Sequence, residues 1–145
     1  MDTSTIFAIS ASGMRAQRLR LDVIAANLAN AQSTRSPEGG PYRRRDVVLE
    51  AARRGESFED MLAPGGGTAS AVEVSRVVTD TRPPRMVYDP NHPDADTNGF
   101  VAMPNVNVVS EMVDMMAASR AYEANVAALN ATKRVLEAAL EIGRA

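Results

Sequence analysis

From Val108 to Ile142 neither proline nor glycine interrupts the chain. Within that run Val108, Met112, Met115, Ser119, Tyr122, Val126, Leu129, Lys133, Leu136 and Leu140 follow alternating spacings of four and three. Eight of these ten are apolar, the pattern of a helix packed lengthwise against another helix. The run predicts one α-helix of about 35 residues, roughly 50 Å long, ending at Gly143. A mean globular helix has about 11–12 residues. A periodic run this long points to a coiled coil or a helical array rather than to a compact enzyme core.

The other end of the chain carries a second segment of this kind, from about Thr3 to Ala31. Phe7, Met14, Leu21 and Leu28 recur every seven residues. Ser10, Gln17, Ile24 and Ala31 fill the interleaved line. The first line reads as an apolar seam and the second as a mixed one. Thr3 or Ser4 can cap the start. Gly13 weakens the middle by roughly 1 kcal/mol relative to Ala. The two terminal segments can pair with each other, with other chains, or with both.

Between them the composition changes. Residues 33–103 hold seven of the eight prolines and seven of the nine glycines. "DVVLEA" and "AVEVSRVVTD" alternate and are rich in β-branched residues, so they read as short strands. "APGGGTAS" reads as a flexible loop. "TRPPRMVYDPNHPDADTNG" carries too much proline for a helix and can hold only irregular or edge structure. The expected fold class is therefore α+β, mainly α: two long terminal helices forming a coiled-coil-like part, with a small β-rich insert between them. The expected division is a discontinuous helical unit, 1–32 with 105–145, and an insert, 33–104.

The residues exclude most catalytic chemistry. There is no cysteine, hence no disulfide, thiolate metal site or cysteine nucleophile. His92, the single histidine, lies in the polar stretch "DPNHPD" with no second histidine and no serine elbow, which leaves no triad or zinc set. Glu56, Glu59 and Asp60 read as a solvated face rather than a glycosidase pair. "DADTNG", Asp94–Gly99, matches the first half of a calcium loop, but the position for the bidentate Glu is Asn105. It reads as a polar turn with Gly99 at positive φ. "PYRRRD", Pro41–Asp46, is one basic cluster in a chain of net charge −2, and a strand edge or protein contact suits it better than nucleic acid. No run of 18 apolar residues predicts a membrane span, and "MDTSTIFAISASGMRAQ" lacks the basic and apolar parts of a cleaved signal. The three methionines of "EMVDMM" suit either a core or a surface that packs in more than one geometry.

Asparagines remain unexplained by these patterns. "AANLANAQST" near the end of the first helix is echoed by "EANVAALNATK" inside the last. They can cap a helix end or face solvent, or they can lie at helix–helix seams, where a buried Asn fixes register at some cost in stability.

"NLANAQST" resembles the N-terminal signature of the bacterial flagellar rod and hook axial protein family, an A-N-x-x-N segment followed by a Thr, a Gly and a Tyr. Here the Tyr is Tyr42, delayed by "RSPEGGP". "NGFVAMPNVNVVSEMVDMMAASRAYEANV", Asn98–Val126, resembles the C-terminal block of proximal-rod members, with G-F-V, P-N-V, V-x-E-M-V and S-R-x-Y-x-A-N all present. Phe100 stands where Tyr is commoner, and no motif falls on residues 55–71.

The resemblance implies a structural subunit of the basal-body proximal rod, part of the drive shaft for motility, and not an enzyme. It implies export without a cleaved signal through the flagellar type III apparatus and location in the rod crossing the periplasm. It implies helical assembly with copies of itself, with other proximal and distal rod subunits, and with the rod–export-gate junction protein. No cofactor, metal, small-molecule substrate or nucleic acid is called for. It assigns subunit-interface roles to Asn27, Leu28, Asn30, Tyr42, Asn105, Glu111, Met112, Met115, Arg120, Tyr122, Asn125 and Leu129. The alternative on residues alone is a cytosolic coiled-coil adaptor.

Overall fold

The computed structural model describes residues 3–52 and 71–143. The predicted loop "APGGGTAS" and Glu56, Glu59 and Asp60 lie outside the described residues. The elements follow in the order α1 (Thr3–Ala29), β1 (Arg45–Ala52), β2 (Ala71–Thr79), β3 (Arg85–Tyr88), β4 (Phe100–Met103) and α2 (Val108–Ile142). The fold is mainly α, with a small antiparallel β insert between two long helices.

The start of α2 has a clear local cause. The Asn107 side chain accepts from the backbone N–H groups of Val109 and Ser110 at 3.0 and 3.2 Å, capping the first turn. Buried Pro104, just after β4, cannot extend the ladder. α1 stops two residues short of the expected Ala31, because Ala31 N–H bonds Leu28 O and tightens the last turn.

β1 pairs antiparallel with β2, from Arg45 opposite Thr79 to Ala52 opposite Ala71, with an irregularity at Val48/Leu49. β3 pairs antiparallel with β4, Tyr88 standing opposite Phe100. β3 comes from the proline-rich stretch and sits in a two-stranded sheet, where every strand is an edge. β4 was not foreseen as a separate strand, because four residues carry too little alternation to be read. A lone hairpin is marginal in water. β1–β2 leans on α1, where Ser12 Oγ donates to Ile9 O at 2.7 Å and accepts from Val72 N–H at 3.0 Å.

The two helices run antiparallel side by side. Asn27 meets Glu111, and Gly13 meets Asn125; each pair of positions is fourteen residues apart on its own helix. In that register Thr3 falls opposite Val135, so residues 136–142 project past the described start of α1.

The buried lines differ from those the stripes predicted. On α1 the line Phe7, Met14, Leu21, Leu28 is only half-buried, and Ser10, Gly13, Ile24 and Asn27 are buried. On α2 Glu111 and Ala118 are buried, whereas Met112 is exposed. Small side chains let the two backbones approach, and the bulkier apolar groups are displaced to the flanks. At Gly13 a Cβ would stand 3.0 Å from Asn125 Oδ1. The glycine that weakens α1 locally thus leaves room for the Asn125 side chain.

Gly13→Val should destabilise the chain by about 1–3 kcal/mol in urea unfolding, despite removing a helix glycine. An unchanged or raised midpoint would show that α1 and α2 do not close on each other at this point.

Candidate functional site

The three elements α1, β1 and α2 meet at Asn27. After α1 the chain makes a closed loop. Asn30 folds its amide back onto Ala26 O at 2.9 Å and accepts from Ser33 Oγ at 3.1 Å. Tyr42 N–H returns to Ser33 O at 3.0 Å. Gly39 and Gly40, at φ 86° and 74°, make the turn that allows this return.

The loop delivers Tyr42, Arg44 and Arg45 to the seam. Asn27 has no exposed surface and uses its whole hydrogen-bonding capacity. Its Nδ2 donates to Arg45 O at 2.8 Å and to Glu111 Oε2 at 3.0 Å. Its Oδ1 accepts from Arg45 N–H at 2.9 Å and from Tyr42 Oη at 3.0 Å. Toward Arg45 the side-chain amide behaves like a neighbouring strand, exchanging both bonds with one residue.

Glu111 is 1 % exposed. Its second oxygen accepts from Arg44 Nε at 2.6 Å, and Arg44 also reaches Asp46 at 3.1 Å. A carboxylate so deeply buried needs both a countercharge and hydrogen bonds, and it has both. Its place in the first turn of α2 adds the favourable end of the helix dipole. Burial pulls the Arg44 guanidinium down, but its bonds to Glu111 and Asp46 outweigh that and leave it raised. Burial pushes the Tyr42 hydroxyl up, against the lowering influence of Arg45 and with the help of Glu111. Tyr42 therefore stays a donor to Asn27.

A second clasp holds the same loop from the other side. Asp94 accepts from Thr34 Oγ1 at 2.7 Å and from Arg35 Nε at 2.6 Å, which lowers its carboxyl below the usual value. Asp96 accepts from the N–H groups of Asn98 and Phe100, and Gly99 has φ 81°. The "DADTNG" stretch is the expected polar turn. His92 Nδ1 accepts from Asp94 N–H at 3.1 Å within it.

Of the residues assigned from the sequence, the structure gathers Asn27, Tyr42 and Glu111 into one cluster within the chain. Asn125 lies fourteen residues along the same seam, bonded to Ala121 O at 2.8 Å and packed on Gly13. Asn30 holds its own helix end. Leu28, Asn105, Met115 and Leu129 are half-buried, and Met112, Arg120 and Tyr122 are exposed. Sequence reasoning missed Arg44 as the countercharge, because "RRR" does not tell which arginine turns inward. It also missed the cap Asn107 and the Asp94 clasp.

The hydrogen bonds of this cluster run between parts of the same chain. The arrangement joins two long helices and a loop, which defines a structural subunit with a helical shaft. Residues 7–35 match the family model for flagella basal body rod protein, and residues 97–142 match that for the flagellar basal body rod FlgEFG protein C-terminal. The flagellar basal-body rod protein FlgC of Bacillus subtilis strain 168 is 45% identical over 144 residues, covering 94% of this chain and 95% of that protein. FlgC of Salmonella typhimurium strain LT2 is 45% identical over 139 residues, 96% of each. FlgC of Borreliella burgdorferi is 41% identical over 141 residues, 92% and 93%. The chain belongs to the FlgC family of flagellar basal-body rod proteins, and it is a structural rod subunit of the basal body.

Glu111→Leu strands Arg44 and the Asn27 amide and should cost about 3–5 kcal/mol in urea unfolding. Replacing Glu111, Arg44 and Asn27 together by apolar residues should cost less than the sum of the single losses. Additive losses would mean that the three do not act as a unit.

Proposed function

We propose that this subunit belongs to the proximal part of the rod and assembles through the outer flanks of its paired terminal helices. One observation carries the reading. The chain buries small and polar groups in its seam and leaves large apolar ones outside. Among the described residues the buried apolar side chains are Ala16, Ile24, Ala31, Val101, Ala118 and Pro104. Met112, Val113 and Met116 are each 54% exposed, and Ile142 is 78% exposed. Surfaces of this kind mark protein contacts.

In this reading Asn27, Tyr42, Glu111 and Asn125 act inside the subunit, holding the two helices in the one register that presents the flanks correctly. Leu28, Asn30, Asn105, Met112, Met115, Arg120, Tyr122 and Leu129 border or form the contact surface. The partners are copies of this chain, other proximal and distal rod subunits, and the junction protein at the export gate. Residues 1–32 with 105–145 form the packing unit, and 33–104 form the insert. The subunit does no catalysis. It leaves the cell uncleaved through the flagellar type III apparatus and works where the rod crosses the periplasm. Long helices with a thin private core gain most of their stability from packing, so they can pass a channel loosely folded and become ordered against neighbours at the growing tip. Contacts that repeat without closing give a helical shaft.

Met112→Glu with Met116→Glu should leave the isolated chain's stability within about 0.5 kcal/mol, because both side chains are exposed. It should abolish motility and recovery of the chain in basal bodies. Normal swimming with the substituted chain in the rod would refute these flanks as contacts.

A further inference from the structure

Each long helix carries an outer line on the side away from the seam. On α1 it runs Arg15, Arg18, Asp22, Ala25 and Ala29, at alternating spacings of three and four. All five are exposed, and the β1–β2 hairpin is fastened to a neighbouring side of α1, through Ser12. On α2 it runs Val113, Met116, Arg120, Glu123 and Ala127, at the same spacings and again all exposed. Among the described residues none of the five charged groups on these lines forms an ion pair. Glu123 accepts from the Ser119 hydroxyl at 3.4 Å.

The two lines are complementary when laid antiparallel. With Arg18 facing Glu123, Asp22 faces Arg120, Ala25 faces Met116 and Ala29 faces Val113. Arg15 falls beside Ala127, one turn from Glu123. Opposite charges thus meet in the middle, and at one end the large side chains of α2 meet alanines that let the helix axes approach. The register is selective. Sliding one helix by seven residues in either direction keeps the spacing, but it sets Arg15 against Arg120 or Arg134 and leaves Asp22 facing an apolar residue.

We infer that α2 of one copy packs by this outer line, antiparallel, on the outer line of α1 of a second copy. The inference rests on the rod-subunit reading and names one contact between like copies. The two lines lie on opposite sides of the helix pair, so the contact forms only between copies. It is head-to-tail and leaves one free line at each end of a series. Within a chain Arg18 stands level with Arg120 and Asp22 with Met116, whereas between copies they stand level with Glu123 and Arg120. Each copy is therefore displaced by three to four residues, about 5 Å along the axis, and the series winds as a helix instead of closing as a ring.

The absence of native cysteine makes the test clean. The full chain carrying Ala25→Cys and Met116→Cys, expressed in place of the original in its own bacterium, should give a ladder of disulfide-linked multimers when purified basal bodies are oxidised. Across one helix pair these two Cα atoms are more than about 10 Å apart, beyond the roughly 7 Å that a disulfide spans, so no link forms inside a chain. A chain carrying Ala25→Cys and Ala127→Cys, about 16 Å out of step, should stay monomeric. Basal bodies that contain the first chain but yield only monomer, or equal linkage in both chains, would overturn the contact while leaving the rod reading intact. A second arm uses charge. Asp22→Arg should lower recovery in basal bodies about tenfold, the scale of one reversed interfacial charge pair, with the urea midpoint of the isolated chain unchanged. Arg120→Asp in the same chain should restore recovery. Normal recovery of Asp22→Arg alone, or no restoration by the double change, would count against the pairing. Absence of the unsubstituted chain from basal bodies would instead defeat the rod reading, and this contact with it.

Discussion

Everything in this subunit is arranged around one buried amide. Asn27 closes four hydrogen bonds, to the loop at Tyr42, to both backbone groups of Arg45 and to Glu111 on the far helix. An apolar residue there would tolerate sliding, since both helices repeat similar side chains every seven positions. An amide with four fixed partners does not. Its burial is tolerable because nothing is left unpaired, and Arg44 neutralises the carboxylate at its centre. The lock therefore selects one register out of several that apolar packing alone would allow.

That selection has consequences for the rest of the chain. Small residues fill the seam, so the helices come close and the large apolar side chains are pushed to the flanks. The private core is thin and the exposed apolar surface is large. A chain built this way holds its shape through polar specificity and gains burial from neighbours. The small β insert fits the same logic. Neither two-stranded sheet is stable alone. One is fastened to α1 through Ser12, and the turn of the other is fastened to the loop through Asp94.

Much of this was legible in the sequence. The uninterrupted run from Val108 predicted α2 to its observed ends, and β-branched alternation located β1 and β2. "NLANAQST" and the block from Asn98 resembled the flagellar rod and hook family, and the comparisons place the chain among rod proteins. What periodicity could not tell was which of two adjacent lines on each helix turns inward. Counting apolar residues favoured Phe7–Leu28 and Met112, whereas packing favoured Ser10–Asn27 and Glu111. Closeness of approach decides that choice, and Gly13 was its only trace, read first as a weakness. The asparagines, offered either as caps or as seam residues, divide between the two: Asn30 holds a helix end, and Asn27 and Asn125 lie in the seam. Arg44 was hidden among three arginines because its partner is 67 positions away.

The most direct measurement is a side-chain-resolution cryo-electron microscopy structure of the assembled rod. The account predicts Asn27 bonded to Glu111 of the same chain in every copy, with Met112 and Met116 covered by neighbouring subunits. Asn27 paired to a glutamate of another chain, or those methionines left facing water, would contradict it.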